Sequence, residues 1–313
     1  MPDQTNRSKT TEQHGLVISY FGSTVAVEAD NGQIVQCQLH RNQELPIVGD
    51  EVAWGLEKSA AETGVIVRIL PRRSILARGD EKGNLKKPIA ANIDDLIIVM
   101  SPAPVLSEYL IDRYLIAAEL LQIKPILVLN KTDLLNDIER QQTYERLEPY
   151  RRIGYPVIFC SVYAEKGLDE LDAALKDKTA VLVGPSGVGK SSIISALKQD
   201  KDIRIGDVSA KGAGKHTTTA TRLYHLPQGG HLIDSPGVRE FTLWPINKAE
   251  VLQSFPEFTD YAGACKFRDC QHLAEPGCAI LAAAGDGRIG KHRYASYQEL
   301  MKQAEVREQK KYK

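Results

Sequence analysis

The chain has 313 residues, 42% of them hydrophobic, and its 40 lysines and arginines balance its 40 aspartates and glutamates. This balance excludes a global positive field as evidence for nucleic-acid binding, which must therefore rest on local basic patches. The longest apolar runs, such as residues 96–100 and 126–129, are too short to cross a bilayer, and the polar first residues contain no signal-peptide core. We expect a cytoplasmic, monomeric protein with no membrane partner.

The N-terminal part of the chain predicts a small all-β unit. Residues 1–14 are polar and lack periodicity, which predicts a disordered tail. Short alternating segments separated by turn signals follow, and they predict strands at 16–19, 24–28, 34–39, 50–55 and 64–70. Such a series of short strands favours an OB-fold β-barrel over residues 15–78. A loop rich in charge and glycine, Arg78 to Pro88, is expected to end the barrel.

The middle of the chain, residues 79–245, predicts an α/β domain. Strands are predicted at 94–100, 125–130, 157–161, 180–183, 222–226 and 231–234, and helices at 106–121, 138–152, 168–175 and 191–197. This alternation implies a mostly parallel sheet covered by helices on both faces. Residues 246–313 predict a mainly helical domain that ends in a helix from about 292 to 311.

Two loops of the α/β domain match the base-reading motifs of GTPases. Asn130-Lys131-Thr132-Asp133 follows an apolar strand and matches Asn-Lys-x-Asp, in which the aspartate accepts hydrogen bonds from two guanine donors. In that motif the asparagine braces the loop and the lysine stem covers the base. Adenine lacks both donors, a mismatch that can cost a factor of about 10⁴ in affinity.

The second base-reading loop begins at the end of the next predicted strand. Ser161-Val162-Tyr163 resembles the Ser-Ala-Lys loop of GTPases, in which a backbone N–H reads the guanine carbonyl. The departures at Val162 and Tyr163 matter little if only the backbone is used.

A phosphate-binding loop comes after both base motifs. The predicted GTP contacts in this loop and at the start of the helix that follows are Gly184, Pro185, Ser186, Gly187, Val188, Gly189, Lys190, Ser191 and Ser192. The strand before it and the helix after it are the context that a Walker A loop requires. Lys190 is expected to reach the β- and γ-phosphates as a catalytic group, and Ser191 to coordinate Mg²⁺. The loop alone leaves ATPase, GTPase and kinase open, and it also resembles the loop of guanylate kinases.

The motif order is therefore circularly permuted, because ordinary GTPases place the phosphate loop first and the base motifs last. The nucleotide site survives such a rearrangement if all loops still emerge from one edge of the same sheet. A nucleotide kinase would leave the Asn130 and Asp234 motifs without roles. A nucleic-acid-binding scaffold with a vestigial nucleotide site is a second alternative.

Two further segments are candidates for nucleotide-dependent switches. Asp234-Ser235-Pro236-Gly237 matches Asp-x-x-Gly, whose aspartate binds Mg²⁺ through water and whose glycine N–H senses the γ-phosphate. In the threonine-rich loop 214–219 we choose Thr218 to complete the Mg²⁺ shell. Val238 stands where Ras-like enzymes carry the glutamine that orients water. His216 is the candidate replacement, and an ordering or partner-binding role for it stays open.

Four potential metal ligands lie near the C-terminus. Cys265, Cys270, His272 and Cys278 form C-x₄-C-x-H-x₅-C, a set of three sulfurs and one imidazole that suits tetrahedral Zn²⁺. No ligand position is left open, so the predicted site is structural. Buried free thiols beside a surface histidine are the alternative. The other cysteines, Cys37 and Cys160, are interpreted as packing residues.

Together these motifs resemble the bacterial ribosome small subunit-dependent GTPase A family, also called RsgA, YjeQ or YloQ. The resemblance covers nearly the whole chain from Gly15 and includes the Gly-x-His-Thr-Thr-Thr switch. It implies a late-acting factor in maturation of the small ribosomal subunit, with GTPase activity that the subunit stimulates. It further implies an OB domain that touches ribosomal RNA (rRNA) and one bound zinc.

Two basic clusters are compatible with phosphate contacts to RNA, and a solvated charged face explains each of them equally well. The first comprises Arg68, Arg72, Arg73, Arg78, Lys82, Lys86 and Lys87, and the second comprises Lys291, Arg293, Lys302, Arg307, Lys310, Lys311 and Lys313.

Overall fold

The structure is a computed structural model that describes residues 12–21, 24–39, 43–56, 63–79, 86–103, 106–198, 221–234 and 243–311. Three predicted site residues, His216, Thr218 and Gly237, lie outside the described residues, as does most of the predicted tail.

The N-terminal strands form a closed five-stranded barrel. They are β1 (Gln13–Tyr20), β2 (Thr24–Ala29), β3 (Ile34–Gln38), β4 (Glu51–Leu56) and β5 (Thr63–Ile69). The strand order is β1-β2-β3-β5-β4 and β4 pairs with β1 again, with only the β3–β5 pair parallel among these neighbours. This closure confirms the predicted OB-fold barrel. Its core includes Val17, Val25 and Trp54, and the buried Cys37 packs among them as predicted.

A hairpin follows the barrel where the charge pattern had predicted a loop. Strands β6 (Ile75–Gly79) and β7 (Lys86–Ala91) pair antiparallel in a separate two-stranded sheet, so the prediction is wrong at both ends of its range. Among the described residues of the hairpin, Arg78 pairs with Lys87 away from the base, whereas Leu76 and Ala90 at the base are buried. Asn92, just after β7, donates its side-chain amide to Gly49 O at 2.8 Å and so links the hairpin to the barrel.

The second sheet region is mostly parallel, as predicted. Its strands are β8 (Asp95–Met100), β9 (Lys124–Leu129), β10 (Val157–Phe159), β11 (Thr179–Val183), β12 (Arg222–His225) and β13 (His231–Asp234). The order is β10-β9-β8-β11-β13-β12, and only β12 runs antiparallel to its neighbour β13. Ser19 of β1 pairs with Arg222 of β12, which continues the sheet into the barrel.

Helices cover both faces of this sheet. They are α1 (Glu108–Leu121), α2 (Asp137–Ile153), α3 (Asp169–Leu175) and α4 (Lys190–Leu197). Alternate residues of a strand point to opposite faces, so Leu96 and Ile98 of β8 pack with α1 and α2, whereas Ile97 and Val99 pack with α3 and α4. A capping box at Asn136 begins α2 by satisfying backbone N–H groups that the helix leaves free.

The C-terminal region consists of short helices and one long one. They are α5 (Lys248–Gln253), α6 (Thr259–Ala262), α7 (Ala279–Gly285) and α8 (Lys291–Lys311). Helix α8 packs on α1 and α5, and Trp244, Phe255 and Tyr297 extend the core of the α/β sheet into this region. None of the described helices is both long and apolar enough to span a membrane.

Two arginines of the predicted basic patches are not available to an RNA phosphate. Arg293 is fully buried and donates to Asp112 at 2.8 Å and to Glu257 at 2.7 Å. Arg72 donates to both carboxylate oxygens of the buried Asp50 at 2.7 and 2.8 Å. Both arginines are structural ion-pair partners, and the phosphate-contact interpretation is wrong for them because buried charges are retained only when paired.

Candidate functional site

The phosphate loop joins β11 to α4 with a backbone that only glycine accommodates easily. Gly184 and Gly189 have φ angles of 138° and 97°, in the region that disfavours side chains. A Cβ atom on Gly184 would lie 2.2 Å from Val99 O, and one on Gly189 would lie 2.3 Å from Asn130 Nδ2. The loop therefore packs directly against β8 and against the base-reading loop.

Lys190 begins helix α4 and is nearly buried, with 9% of its surface exposed. Its ammonium group donates to Gly184 O at 2.6 Å and to Pro185 O at 2.7 Å, both within the phosphate loop. These carbonyls stabilise the charge of the ammonium group, so a phosphate that binds to Lys190 must displace them. Ser191 and Ser192, the next residues of the helix, are exposed at its N-terminal end, where anions bind favourably.

The base-reading loop is hydrogen-bonded directly to the phosphate loop. Asn130 Nδ2 donates to Val188 O at 2.9 Å, and Lys131 Nζ donates to Gly187 O at 2.5 Å. Asn130 is 2% exposed, and Lys131 adopts a left-handed backbone with a φ angle of 62°. Although the two loops are more than fifty residues apart in the chain, they form one continuous edge of the site.

The third loop completes this edge next to Asp133. Ser161 Oγ donates to Asp133 Oδ1, and the N–H of Tyr163 donates to Ser161 Oγ at 3.2 Å. Asp133 itself is exposed, so this hydrogen bond holds its carboxylate at the surface of the protein. Val162 is partly buried against the core on the α3 side of the sheet. Thr132 donates its N–H and hydroxyl to Cys160 O at 3.2 and 3.0 Å, which joins the two base loops.

Asp234 is the described member of the predicted switches. It ends β13, where it pairs in register with Leu182 of β11 and with Arg222 of β12. Its partner Leu182 is two residues before Gly184, so Asp234 lies at the same carboxyl edge of the sheet as the phosphate loop. His216, Thr218 and Gly237 remain predictions because they lie outside the described residues.

A cavity lies at the opposite edge of the sheet, where the parallel strands begin. Its volume is about 480 Å³, and it is lined by residues of the barrel and of the strand starts, among them Glu28, Arg73, Thr179 and His231. Ligands of parallel sheets bind at the carboxyl ends of the strands, which is where the three loops meet. The edge formed by the loops at 130–133, 161–163 and 184–190, called the nucleotide edge below, is therefore the candidate nucleotide site, and this cavity is not.

The four predicted metal ligands converge in the C-terminal region. The sulfur atoms of Cys265, Cys270 and Cys278 and one ring nitrogen of His272 all lie within 4.8 Å of one another. His272 Nδ1 is 3.5 Å from the sulfurs of Cys265 and Cys278, and these two sulfurs are 4.0 Å apart. A tetrahedral site with Zn–S bonds of about 2.3 Å requires sulfur separations of about 3.8 Å. The donor set and its spacing therefore fit zinc.

Neighbouring side chains hold this cluster in shape. Tyr294 and Tyr297 of α8 donate their hydroxyls to His272 O at 2.8 Å and to Gln271 O at 2.6 Å. Burial acts to raise the pKa of Glu275, but backbone N–H donors outweigh it and hold that pKa at about 2. Its carboxylate accepts the N–H groups of Gln271, Leu273 and Ala274. Burial also lowers the pKa of His272, which favours the neutral ring that a metal requires.

The sequence of the chain matches a known protein family over its GTPase region. The model of the RsgA GTPase family matches residues 69–244, which is more than half of the chain. The chain belongs to the RsgA GTPase family. Its enzymatic class is therefore that of a GTP hydrolase, and the family implies a nucleotide bound with Mg²⁺.

Relatives of the RsgA GTPase family match along most of the chain. A protein of Vibrio vulnificus named Small ribosomal subunit biogenesis GTPase RsgA 1 is 48% identical over 92% of this chain and 83% of its own length. The protein named Small ribosomal subunit biogenesis GTPase RsgA of Azotobacter vinelandii is also 48% identical, over 93% of this chain and 85% of its own.

Solved structures of RsgA-type proteins share the fold. The crystal structure of YjeQ from Thermotoga maritima superposes with a TM-score of 0.74 at 30% identity, covering 94% of this chain and 98% of its own. YloQ, described as a circularly permuted GTPase, gives a TM-score of 0.72 at 28% identity, covering 98% and 99%. These matches confirm the predicted barrel, permuted GTPase domain and C-terminal helical region.

Proposed function

We propose that this GTP hydrolase acts in late maturation of the small ribosomal subunit. In this proposal the subunit stimulates hydrolysis, and the nucleotide state controls binding to the subunit and its rRNA and release from them. The observation that carries the nucleotide part is the direct bonding of the base-reading loop to the phosphate loop. The names of the relatives with 48% identity support the ribosomal part.

The described loops supply distinct contacts to GTP. Asp133 reads the guanine donors, the stem of Lys131 covers the base, and Asn130 fixes the spacing between base and phosphates. The backbone at Ser161 and Val162 reads the guanine carbonyl. The remaining GTP contacts come from Thr132, from 184–192 and from Gly237.

Phosphate chemistry in this proposal depends on charge neutralisation. Lys190 leaves the carbonyls of its own loop and pairs with the β- and γ-phosphates, which stabilises charge as the terminal bond breaks. Ser191, Thr218 and Asp234 would hold Mg²⁺, which supplies further neutralisation of the phosphate oxygens. His216 is proposed to orient the attacking water in place of the missing glutamine.

The cysteine and histidine cluster is proposed to hold one structural Zn²⁺. All four ligands are protein groups, so no coordination position remains for a substrate. The ion would fix the shape of the loop 265–278, which Tyr294 and Tyr297 of helix α8 contact through their hydroxyls.

The setting of the protein follows from its proposed partner. A factor that binds the small subunit of bacterial ribosomes acts in the cytoplasm, and we propose that it does so as a monomer.

We propose an N-terminal tail over 1–14, a barrel domain over 15–78, a GTPase domain over 79–245 and a zinc domain over 246–313. Strand β6 (Ile75–Gly79) spans the first internal boundary.

Phosphate release from GTP and from ATP, with and without purified small ribosomal subunits, tests the proposal. We expect stimulation by about 10³ or more that is confined to GTP, as activating partners give in other GTPases. The matched variant Asp133→Asn should lose most of the preference for guanine. Equal turnover of both nucleotides would contradict the specificity, and transfer of phosphate to a nucleotide acceptor would favour the kinase alternative. No GTP turnover with subunits present would favour the scaffold alternative.

A further inference from the structure

The amide of Asn130 has hydrogen-bond partners at both of its ends. Its Nδ2 donates to Val188 O of the phosphate loop at 2.9 Å, and its Oδ1 accepts from the thiol of Cys160, with the sulfur 3.6 Å away. Cys160 is 2% exposed and follows strand β10 directly. Among the described residues, no other side chain donates to this oxygen.

The backbone of Cys160 fixes where its thiol lies. Its N–H donates to Leu129 O at 2.8 Å, and its carbonyl accepts both the N–H and the hydroxyl of Thr132. The residue is therefore bonded on both sides to the segment that carries Asn130. The sulfur reaches the amide from a position that the sheet determines, and not from a mobile loop.

The orientation of the amide matters because its two ends are chemically different. If the amide were rotated by a half turn, Oδ1 would face Val188 O, and two acceptors would oppose each other without a proton between them. Gly189 packs so closely on Asn130 Nδ2 that a Cβ atom there would lie only 2.3 Å away. The carbonyl of Val188 at one end of the amide and the thiol donor of Cys160 at the other therefore favour the same orientation.

We propose that Cys160 is a positioning residue for guanine-nucleotide binding, because its thiol orients the Asn130 amide that holds the base-reading loop to the phosphate loop. This inference rests on the proposed function for its effect on nucleotide binding. It replaces the interpretation of Cys160 as a packing residue alone. Burial raises the pKa of this thiol to about 12, so the group keeps the proton that it donates.

Substitution by two residues of the same shape separates donation from packing. Threonine and valine fill the same volume at position 160, but only threonine carries a hydroxyl donor. We expect Cys160→Val to raise the Kd for GDP and the KM for GTP about threefold to tenfold, with kcat unchanged, since a neutral hydrogen bond contributes about that factor. Cys160→Thr should stay within about twofold of the parent protein.

Cys37→Val in the barrel core is the matched control for replacing a buried thiol. Burial raises its pKa to about 12 as well, but Cys37 lies in the separate core of the barrel. Its variant should leave the nucleotide constants unchanged. Equal nucleotide affinity of the threonine and valine variants at position 160 would overturn the proposal.

A second measurement does not depend on GTP. The side-chain NH₂ signal of Asn130, assigned by its loss in Asn130→Asp, reports the amide in the nucleotide-free protein by NMR. We expect it to be protected from solvent exchange in the parent and in Cys160→Thr, and to exchange at least about threefold faster in Cys160→Val. Unchanged exchange in the valine variant would overturn the positioning role. Equal binding of GDP and ADP by the parent would instead overturn the proposed function.

Discussion

The nucleotide edge and the cluster of Cys265, Cys270, His272 and Cys278 are both built from loops between secondary-structure elements, but they differ in how closely they are preformed for a ligand. In the cluster, the four ligand atoms already have nearly the spacing that zinc requires. At the nucleotide edge, Lys190 is bonded to carbonyls of its own loop and Asp133 to Ser161. A bound phosphate must displace the carbonyls that Lys190 contacts, whereas a metal ion replaces only the protons shared among the ligands of the cluster.

This difference matches the two tasks. A structural ion contributes to folding and stays bound, so a preformed site is favourable. A switch must release its nucleotide. Internal hydrogen bonds that compete with the nucleotide reduce the free-energy difference between the bound and free states. Damage to the cluster should therefore reduce stability, while damage to the nucleotide edge should reduce turnover with little change in folding.

The largest effect is expected from Cys278→Ser. Loss of one ligand should abolish stoichiometric zinc and remove a contribution on the order of 10 kcal/mol to the folding of the C-terminal module. Metal analysis together with hydrogen exchange over 259–311 measures both consequences. Cys37→Ala in the barrel core should retain one zinc per chain. Full zinc content in Cys278→Ser would contradict the assignment of the site.

The next largest effect concerns the buried ion pairs that join the C-terminal helix to the GTPase core. Arg293→Met leaves the charges of Asp112 and Glu257 buried without their cation, which should reduce the free energy of unfolding by about 3–5 kcal/mol. Chemical denaturation measures this. Arg288→Met is the control, because its pair with Asp286 is exposed and should contribute nothing measurable. Equal stability of both variants would show that the junction does not depend on Arg293.

At the nucleotide edge, Lys190→Ala should reduce kcat for GTP by about 10² to 10³, since one group that stabilises developing phosphate charge is lost. Its melting temperature should remain close to that of the parent. Lys178→Ala, at the opposite edge of the sheet, should keep full turnover. A large loss of stability in Lys190→Ala would remove the contrast drawn between the two regions.

The smallest expected effect is a pH dependence of the free energy of unfolding. It arises at the amino ends of the parallel strands, away from both sites. Burial and the neighbouring His225 lower the pKa of His231 below its ordinary value of 6.5. Below pH 6.5 the unfolded chain therefore binds a proton that the folded chain does not, so stability should fall by at most about 1.4 kcal/mol per pH unit.

His231→Gln should flatten the pH dependence of the denaturation midpoint between pH 7.5 and 5.5 relative to the parent. Its affinity for GDP at neutral pH should be unchanged. An identical pH profile in parent and variant would assign the titration to another group.

Much of the fold was predictable because the strands and helices of the α/β domain follow simple periodicity. The motif residues 130–133 and 184–191 were found because their chemistry requires a fixed local spacing. The hairpin at 75–91 was missed because the sequence between its two short apolar segments is rich in charge and glycine, a composition that also predicts a loop. The burial of Arg293 could not be predicted from the sequence, because its partner Asp112 is 181 positions away in the chain. The contact between Cys160 and Asn130 likewise depends on which strands are neighbours.

Isothermal titration of the purified full-length protein with GDP and with ADP tests most directly whether Asp133 and Lys190 hold one molecule. The account predicts one GDP bound per chain, with ADP weaker by a factor of about 10⁴ and so outside the measurable range. In Asp133→Asn the affinity for GDP should fall towards that for ADP. Binding of ADP as tightly as GDP by the parent protein would contradict the account.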